Sequence, residues 1–325
     1  TQAQLLTASD GEADWEFGTS LAAHEDVLVV GLPAANPFGH FSGAAYVFER
    51  QGEEWEQTAT LHASDAEFLD AFGFSVAVSG EVIVVGAHWE TSQGANAGAA
   101  YVFERTGDQW LETAKLTASD GAADDWFGES VATDGNTVIV GAPNQDEAAV
   151  DAGAVYVFAR QAGTWQEVDK VLASDAEADE RFGTSVAMTA QHAIVGAYGE
   201  SDVGPNGGAA YVLQRSGDTF VESQKLIASD SAGVDQFGYE VAIHDSTLLV
   251  GAYREDDQAP NAGAVYVFKL QAGSWQEELK LYAADGVQED LLGRALAIGP
   301  TLIAMGTGVS DAAGEDAGAA YVVVW

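Results

Sequence analysis

Three features of this sequence predict an all-β, six-bladed β-propeller with four antiparallel strands per blade. Phe-Gly stands at Phe17-Gly18, Phe72-Gly73, Phe127-Gly128, Phe182-Gly183 and Phe237-Gly238, with Leu292-Gly293 completing the series, so every step is 55 residues. Within each repeat, four short segments rich in β-branched and aromatic residues are bounded by turn residues, and helical periodicity is absent. The chain also opens on a segment that reads as a fourth strand and stops just after a third. A fixed period of this size marks a repeat architecture, and four strands per unit describe a propeller blade.

The third repeat shows how each element is written. Its strands are expected over 127–133, 137–142, 153–160 and 164–173. The first link, Thr133-Asp134-Gly135-Asn136, carries the Asp-Gly that suits a hairpin needing positive φ. The second link runs about ten residues and ends in Asx-x-Gly, as in Asn96-Ala97-Gly98, Asp151-Ala152-Gly153 and Asn261-Ala262-Gly263, where Asn or Asp makes its own turn. The third link again carries glycine, as at Gly107 and Gly163. Thr1–Asp10 (TQAQLLTASD) matches the fourth strand and exit loop of other repeats, such as LETAKLTASD at 111–120. It is therefore expected to complete the last blade and close the ring, which leaves no open edge there. Residues 1–325 are read as one domain, because stacked repeats share a continuous core.

Composition narrows the function classes. The chain holds 51 acids against 12 bases, a formal net charge of −39, and no cysteine. Nucleic acid is excluded as a partner, since phosphate binding needs clustered Lys and Arg. The absence of cysteine removes disulfides, thiolate metal sites and a cysteine nucleophile. No apolar run approaches a membrane span. A charge excess of this kind keeps a protein soluble where salt screens self-repulsion, which suggests a saline, halophilic setting.

The motifs Phe127-Gly128, Gly141-Ala142-Pro143 and Gly153-Ala154, in the same order in the other copies, resemble the FG-GAP repeats that form the β-propeller of integrin α subunits and of many bacterial and archaeal surface proteins. The resemblance covers essentially the whole chain. It implies a non-catalytic recognition or cell-adhesion module of an extracellular or cell-surface protein, monomeric and part of something larger. Two departures stand out. Integrin propellers have seven repeats, and their calcium loop of type DxDxDG lies between the first and second strands. Here that link is SGE at 79–81 or HDST at 244–247, so the family's calcium site does not carry over.

The repeated Phe, the tyrosine series Tyr46 to Tyr321 and Trp55, Trp110, Trp165 and Trp275 are expected to pack between blades. The series Asp10, Asp65, Asp120, Asp175, Asp230 and Asp285 is expected to cap its own turns. Two positions ahead of Phe-Gly stand Trp15, Asp70, Asp125, Glu180, Asp235 and Asp290. Five carboxylates there, around the mouth of a closed propeller, are a candidate Ca2+ ring, with local turn capping as the competing reading.

Alternating strand direction puts the second-to-third and fourth-to-first links on one face, which carries most of the acids, opposed there only by Arg181 and Arg254. Loops on a rigid scaffold are where binding resides. The first second-to-third link, PAANPFGHFSG, has no acid but carries Phe38, His40 and Phe41, and the second brings His88 and Trp89. With Phe68 and Trp15 from nearby loops, these form a candidate aromatic patch for a glycan face or a protein partner, unless they fold inward to shield the blade tops. The six histidines show no HExxH spacing, and no nucleophile and base are paired by pattern. The expectation is thus no catalysis and no required cofactor, with a lectin-like carbohydrate binder as the alternative and a polysaccharide-acting enzyme the remoter one.

Overall fold

The computed structural model describes residues 4–12, 15–308, 310 and 318–324, and contains strands but no helix. Six antiparallel sheets form the blades of the propeller. Five have four strands in sequential order, and the sixth has three among the described residues. In the third repeat the strands are Ser130–Thr133, Thr137–Ala142, Ala154–Gln161 and Thr164–Val171, close to the sequence reading. Its Asp-Gly link folds as expected: Gly135 has φ +92° and Asp134 Oδ1 accepts from the amides of Asn136 (3.0 Å) and Thr137 (2.8 Å).

By its contacts the chain divides into two compact units, Thr1–Gln145 with Tyr156–Lys170, and Asp146–Val155 with Val171–Trp325. In the first, Val29, Val47 and Leu61 of the first sheet share a core with Phe72, Ile83, Val85, Tyr101 and Trp110 of the second. Phe72 meets Tyr101 edge-on at 5.5 Å. In the second unit, Ile194, Val212 and Leu226 of the fourth sheet pack on Phe237, Leu248, Tyr266 and Trp275 of the fifth. The recurrent aromatics therefore fill the seams between sheets, each fully buried Phe or Tyr contributing about 1.5–3 kcal/mol of apolar burial.

The motif glycines explain how the sheets come so close. Gly98, at φ +87°, forms a parallel bridge with Phe127 of the next repeat, whose amide donates to Ala97 O at 3.0 Å. A Cβ on Gly98 would run into the Phe127 carbonyl oxygen, and one on Gly86 would strike the Gly128 carbonyl. The second unit repeats this at Gly208 with Phe237 and Gly263 with Leu292. FG and GA are thus two halves of one backbone junction, and any side chain would wedge it open.

A polar clamp reinforces each junction. In the first unit Ser119 donates through its amide and hydroxyl to the Glu167 carboxylate (2.9 and 2.7 Å), while Asp120 accepts from the Tyr156 hydroxyl (2.8 Å) and Lys170 (2.6 Å). In the second unit Ser174 meets Glu222, and Asp175 meets Tyr211 and Lys225; Lys225 also reaches Glu200 (3.0 Å) and Asp202 (2.7 Å). The aspartate series thus does more than the local capping expected of it: the Asp120 and Asp175 carboxylates each take a hydrogen bond from their own backbone and also reach across to the following repeat.

The N-terminal segment keeps the same register. Gln4 exchanges bonds with the Trp55 backbone (2.8 and 2.7 Å), as Gln224 does with Trp275 (2.8 and 2.9 Å). Ser9 N bonds Gln57, and the Tyr46 hydroxyl bonds Asp10. Residues 4–10 thus meet the first sheet as a preceding fourth strand and exit loop would. The expected ladder between Thr1–Asp10 and the last sheet falls partly on residues 1–3, outside the described residues, and residues 4–8 form no strand pairing.

Burial alone would raise the Asp175 carboxyl, but hydrogen bonds from Lys225 and Tyr211 outweigh it and hold it below the usual range. Burial would lower Lys225, and bonds to Asp175, Asp202 and Glu200 hold it above its range instead. A depressed carboxyl stabilises above its unfolded pKa, losing this as pH falls through the folded value; a raised amine stabilises below its unfolded pKa, losing this as pH rises through the folded value. The clamp is therefore fully effective from about pH 4 to about pH 10. Lys225→Met strands buried Glu200 and lowers stability by about 3 kcal/mol at neutral pH; thermal melts at about pH 7 and about pH 3 will show the deficit shrinking at the lower value. Gly98→Ala costs several kcal/mol, whereas Gly107→Ala, with nothing near its Cβ position, costs about 1 kcal/mol. Melts of the two variants check the difference.

Candidate functional site

The five acids placed in a candidate ring are buried, between 2% and 7% exposed. Each turns back to its own loop. Asp70 accepts from Glu67 N (2.6 Å), Asp125 from Ala122 N (2.9 Å), Glu180 from Glu177 N (2.9 Å), Asp235 from Ala232 N (2.8 Å) and Asp290 from Val287 N (2.8 Å). Among the described residues, no three histidines or acids gather in a metal-holding group. The reason is local: an amide three residues back lies within reach of a short carboxylate and must be satisfied once buried. Burial and neighbouring acids raise Asp235 to about 6 despite the Ala232 amide, and burial likewise raises Asp70 and Glu180.

The aromatic candidates divide into two groups, both in the first unit. Phe38 and Phe68 stand 61% and 60% exposed. His40 lies 4.2 Å from Phe41 and 6.2 Å from Phe68 by ring centroids, and Phe38 meets His62 edge-on at 5.3 Å. Phe41 has φ +57°, at a position where the other repeats put Asn or Asp (Asn96, Asp151, Asn206 and Asn261, all near +53°). A bulky side chain there costs on the order of 1–2 kcal/mol. Asn36 holds the turn, accepting from Phe41 N at 2.7 Å. Phenylalanine in a left-handed slot is not what local folding selects, and here the half-buried Phe41 ring packs against His40.

The second group is more enclosed. His88 is 3% exposed, with Phe74, Trp89 and Trp126 at ring distances of 4.0, 4.8 and 6.0 Å. Burial pushes the His88 imidazole down to about 3, so it is neutral at physiological pH. His88 Nδ1 and Trp126 Nε1 are both buried without a hydrogen-bond partner. Two such orphans beside one another are a polar spot in an aromatic setting, where a bound hydroxyl or amide would find partners. Trp15 joins neither group; it packs on the core of the first sheet beside Val30, Leu32 and Tyr46. The expectation of Trp15 in the patch is thus corrected, because its flat ring fills the space over that sheet.

Sequence reading missed His62, Phe74 and Trp126. The signal was available in the repeat itself. At the position after Phe-Gly the copies carry Thr19, Phe74, Glu129, Thr184, Tyr239 and, after Leu-Gly, Arg294, and at the position after Gly-Ala they carry His88, Pro143, Tyr198 and Tyr253, with Pro33 after Gly-Leu and Gly308 after Gly-Thr. Fold-making positions keep their residue; these vary freely. In the second unit they assemble Tyr198, Tyr239 and Tyr253, with ring distances of 5.7 and 4.3 Å, beneath Arg254 and Arg294. Arg294 is a third cation that the charge survey of the loops left out. Arg181, by contrast, pairs with Asp151 at 3.2 Å.

No curated protein matches the chain. Among solved structures, a putative 6-phosphogluconolactonase from Bacteroides uniformis superposes with a TM-score of 0.59 at 12% identity, covering 94% of this chain and 85% of its own. A functionally unknown protein from Desulfotomaculum acetoxidans gives 0.56 at 11% identity, covering 96% and 83%. At such identities the likeness is one of fold alone. The FG-GAP repeat model matches residues 1–48, 55–103, 110–158, 165–213, 220–268 and 275–323, once per blade. With six matches spanning the sequence, and with both motif halves meeting at the glycine junctions, the chain belongs to the FG-GAP repeat family.

Proposed function

We propose that the six repeats act as one domain, a non-catalytic recognition module of a secreted or cell-surface protein that binds a protein or glycan through its loop face. The observation that carries this reading is the exposed cluster of Phe38, His40 and Phe68, with the half-buried Phe41 beneath His40 on a turn held at a conformational cost. Exposed aromatics of this kind on an otherwise strongly acidic protein mark a contact site. Their flat faces suit the apolar face of a pyranose or an aromatic side chain of a partner. The family resemblance to integrin α propellers supports adhesion as the biological setting, and the loop location agrees with it.

Catalysis finds less support. Apart from His88 and Glu240, which burial shifts, the titratable groups with strongly shifted pKa values are engaged in clamps and loop caps, and the lactonase name belongs to a structure 12% identical. A lectin-like role is favoured within the proposal by the orphaned polar atoms of His88 and Trp126, which suit a hydroxyl-rich ligand.

The test is a paired screen on glycan and extracellular-matrix protein arrays with the wild-type chain and Phe38→Ala/Phe68→Ala. Both side chains are exposed, so the variant will melt within about 1 kcal/mol of wild type. A ligand that loses tenfold or more in affinity with the variant supports the reading. Unchanged binding to every ligand found would remove the patch from it.

A further inference from the structure

We propose that Tyr198, Tyr239, Tyr253, Arg254 and Arg294 form a second binding site, a cradle for a carboxylated sugar such as one hexuronate residue at the end of an acidic glycan. It lies wholly in the second unit and shares no residue with the aromatic patch of the first.

The charge arrangement carries the inference. Arg254 and Arg294 lie over the same ring, 5.5 and 5.6 Å from the centroid of Tyr253, and Arg294 also lies 5.9 Å from Tyr239. Two guanidiniums are thereby gathered on one tyrosine ring in a chain with 51 acids. Yet neither makes an ion pair among the described residues, whereas Arg105, Arg160 and Arg181 all do. Both are exposed, and neither is needed to satisfy a buried acid. Nearby Glu255 and Asp257 are taken by Lys280 at 2.9 and 2.6 Å, and the Asp235 carboxylate caps Ala232 N. Three of the nearby acids are thus engaged elsewhere and Asp256, though close in sequence, makes no ion pair with either arginine among the described residues, which leaves a local cationic spot on an anionic molecule.

The tyrosines narrow the ligand. Stacked against Tyr239 at 4.3 Å, Tyr253 is nearly buried, while Tyr198 and Tyr239 remain half-exposed. Guanidinium forks bind carboxylates through paired, charge-assisted hydrogen bonds. Phenol rings cover the C–H face of a pyranose and offer hydroxyls to its ring substituents. A bare inorganic anion would use the first feature only, and a neutral sugar the second only. A long polyanion is disfavoured by repulsion from the rest of the surface, so a single acidic sugar or short oligomer is the ligand class, in salt that screens over roughly 8 Å or less.

The test is isothermal titration of the intact protein with a galacturonate trimer, a sulfated trisaccharide, a neutral galactose trimer, inorganic sulfate and an acidic hexapeptide, at about 0.15 M and about 1 M salt. Uronate binding, at least roughly tenfold weaker for Arg254→Gln and for Arg294→Gln and abolished in the double variant, supports the site. Tyr239→Ala should weaken uronate while leaving any sulfate heat in place, which separates the sugar contact from the charge. Stronger binding of the sulfated sugar would reassign the acidic group but keep the cradle. Equal binding of inorganic sulfate, preference for the peptide, or no uronate heat would overturn the proposal. Phe38→Ala/Phe68→Ala must bind uronate like wild type, so the patch and the cradle fail or stand separately.

Discussion

The fold depends on backbone meeting backbone where one repeat hands over to the next. Gly98 and Phe127 bridge as parallel strands do, at a distance that admits no Cβ. The apolar seam between sheets, with Phe, Tyr and Trp in register, follows from that approach; a wider gap would open voids the rings could not fill. The Ser–Glu and Asp–Tyr–Lys clamps sit at the same junction and fix its sliding register. Because the glycine bridge recurs at all five handovers between described repeats, sheet after sheet takes one geometry.

How much of this the sequence reveals depends on distance along the chain. Strands, links and glycines are legible within one repeat, because alternation and turn chemistry are local. The seam partners are not. Ser119 finds Glu167 and Lys170 finds Asp120 across 48 and 50 residues, near the period but not equal to it. Reading each column of the repeat separately therefore assigns Asp120 to its own turn and misses its reach to Tyr156 and Lys170. Trp15 shows a related limit: its slot predicts a neighbour of the acid series, and only packing shows it lying on the first sheet.

The variable slots follow another logic. Once the junctions fix the backbone, the residue after Phe-Gly and the residue after Gly-Ala have no structural duty, so six copies give the chain a set of independent choices on one rigid frame. In the first unit those choices are His88 and Phe74 with their indole neighbours; in the second they are tyrosines crowned by arginine. Neither group is visible as a motif: the members of the first are spread over some fifty residues, those of the second over three repeats, and each unites only in space. Comparing copies for disagreement is what exposes them.

Four of the five lysines are spent in the clamps, each neutralising an aspartate at a junction. The joints are thereby electrically quiet, while the outer skin carries an anionic excess with few counter-charges of its own. In dilute buffer such a particle behaves as a charged droplet whose skin pulls outward as its interior stays bound. Weaker screening therefore acts on the loops more than on the junctions, whose charges are already paired.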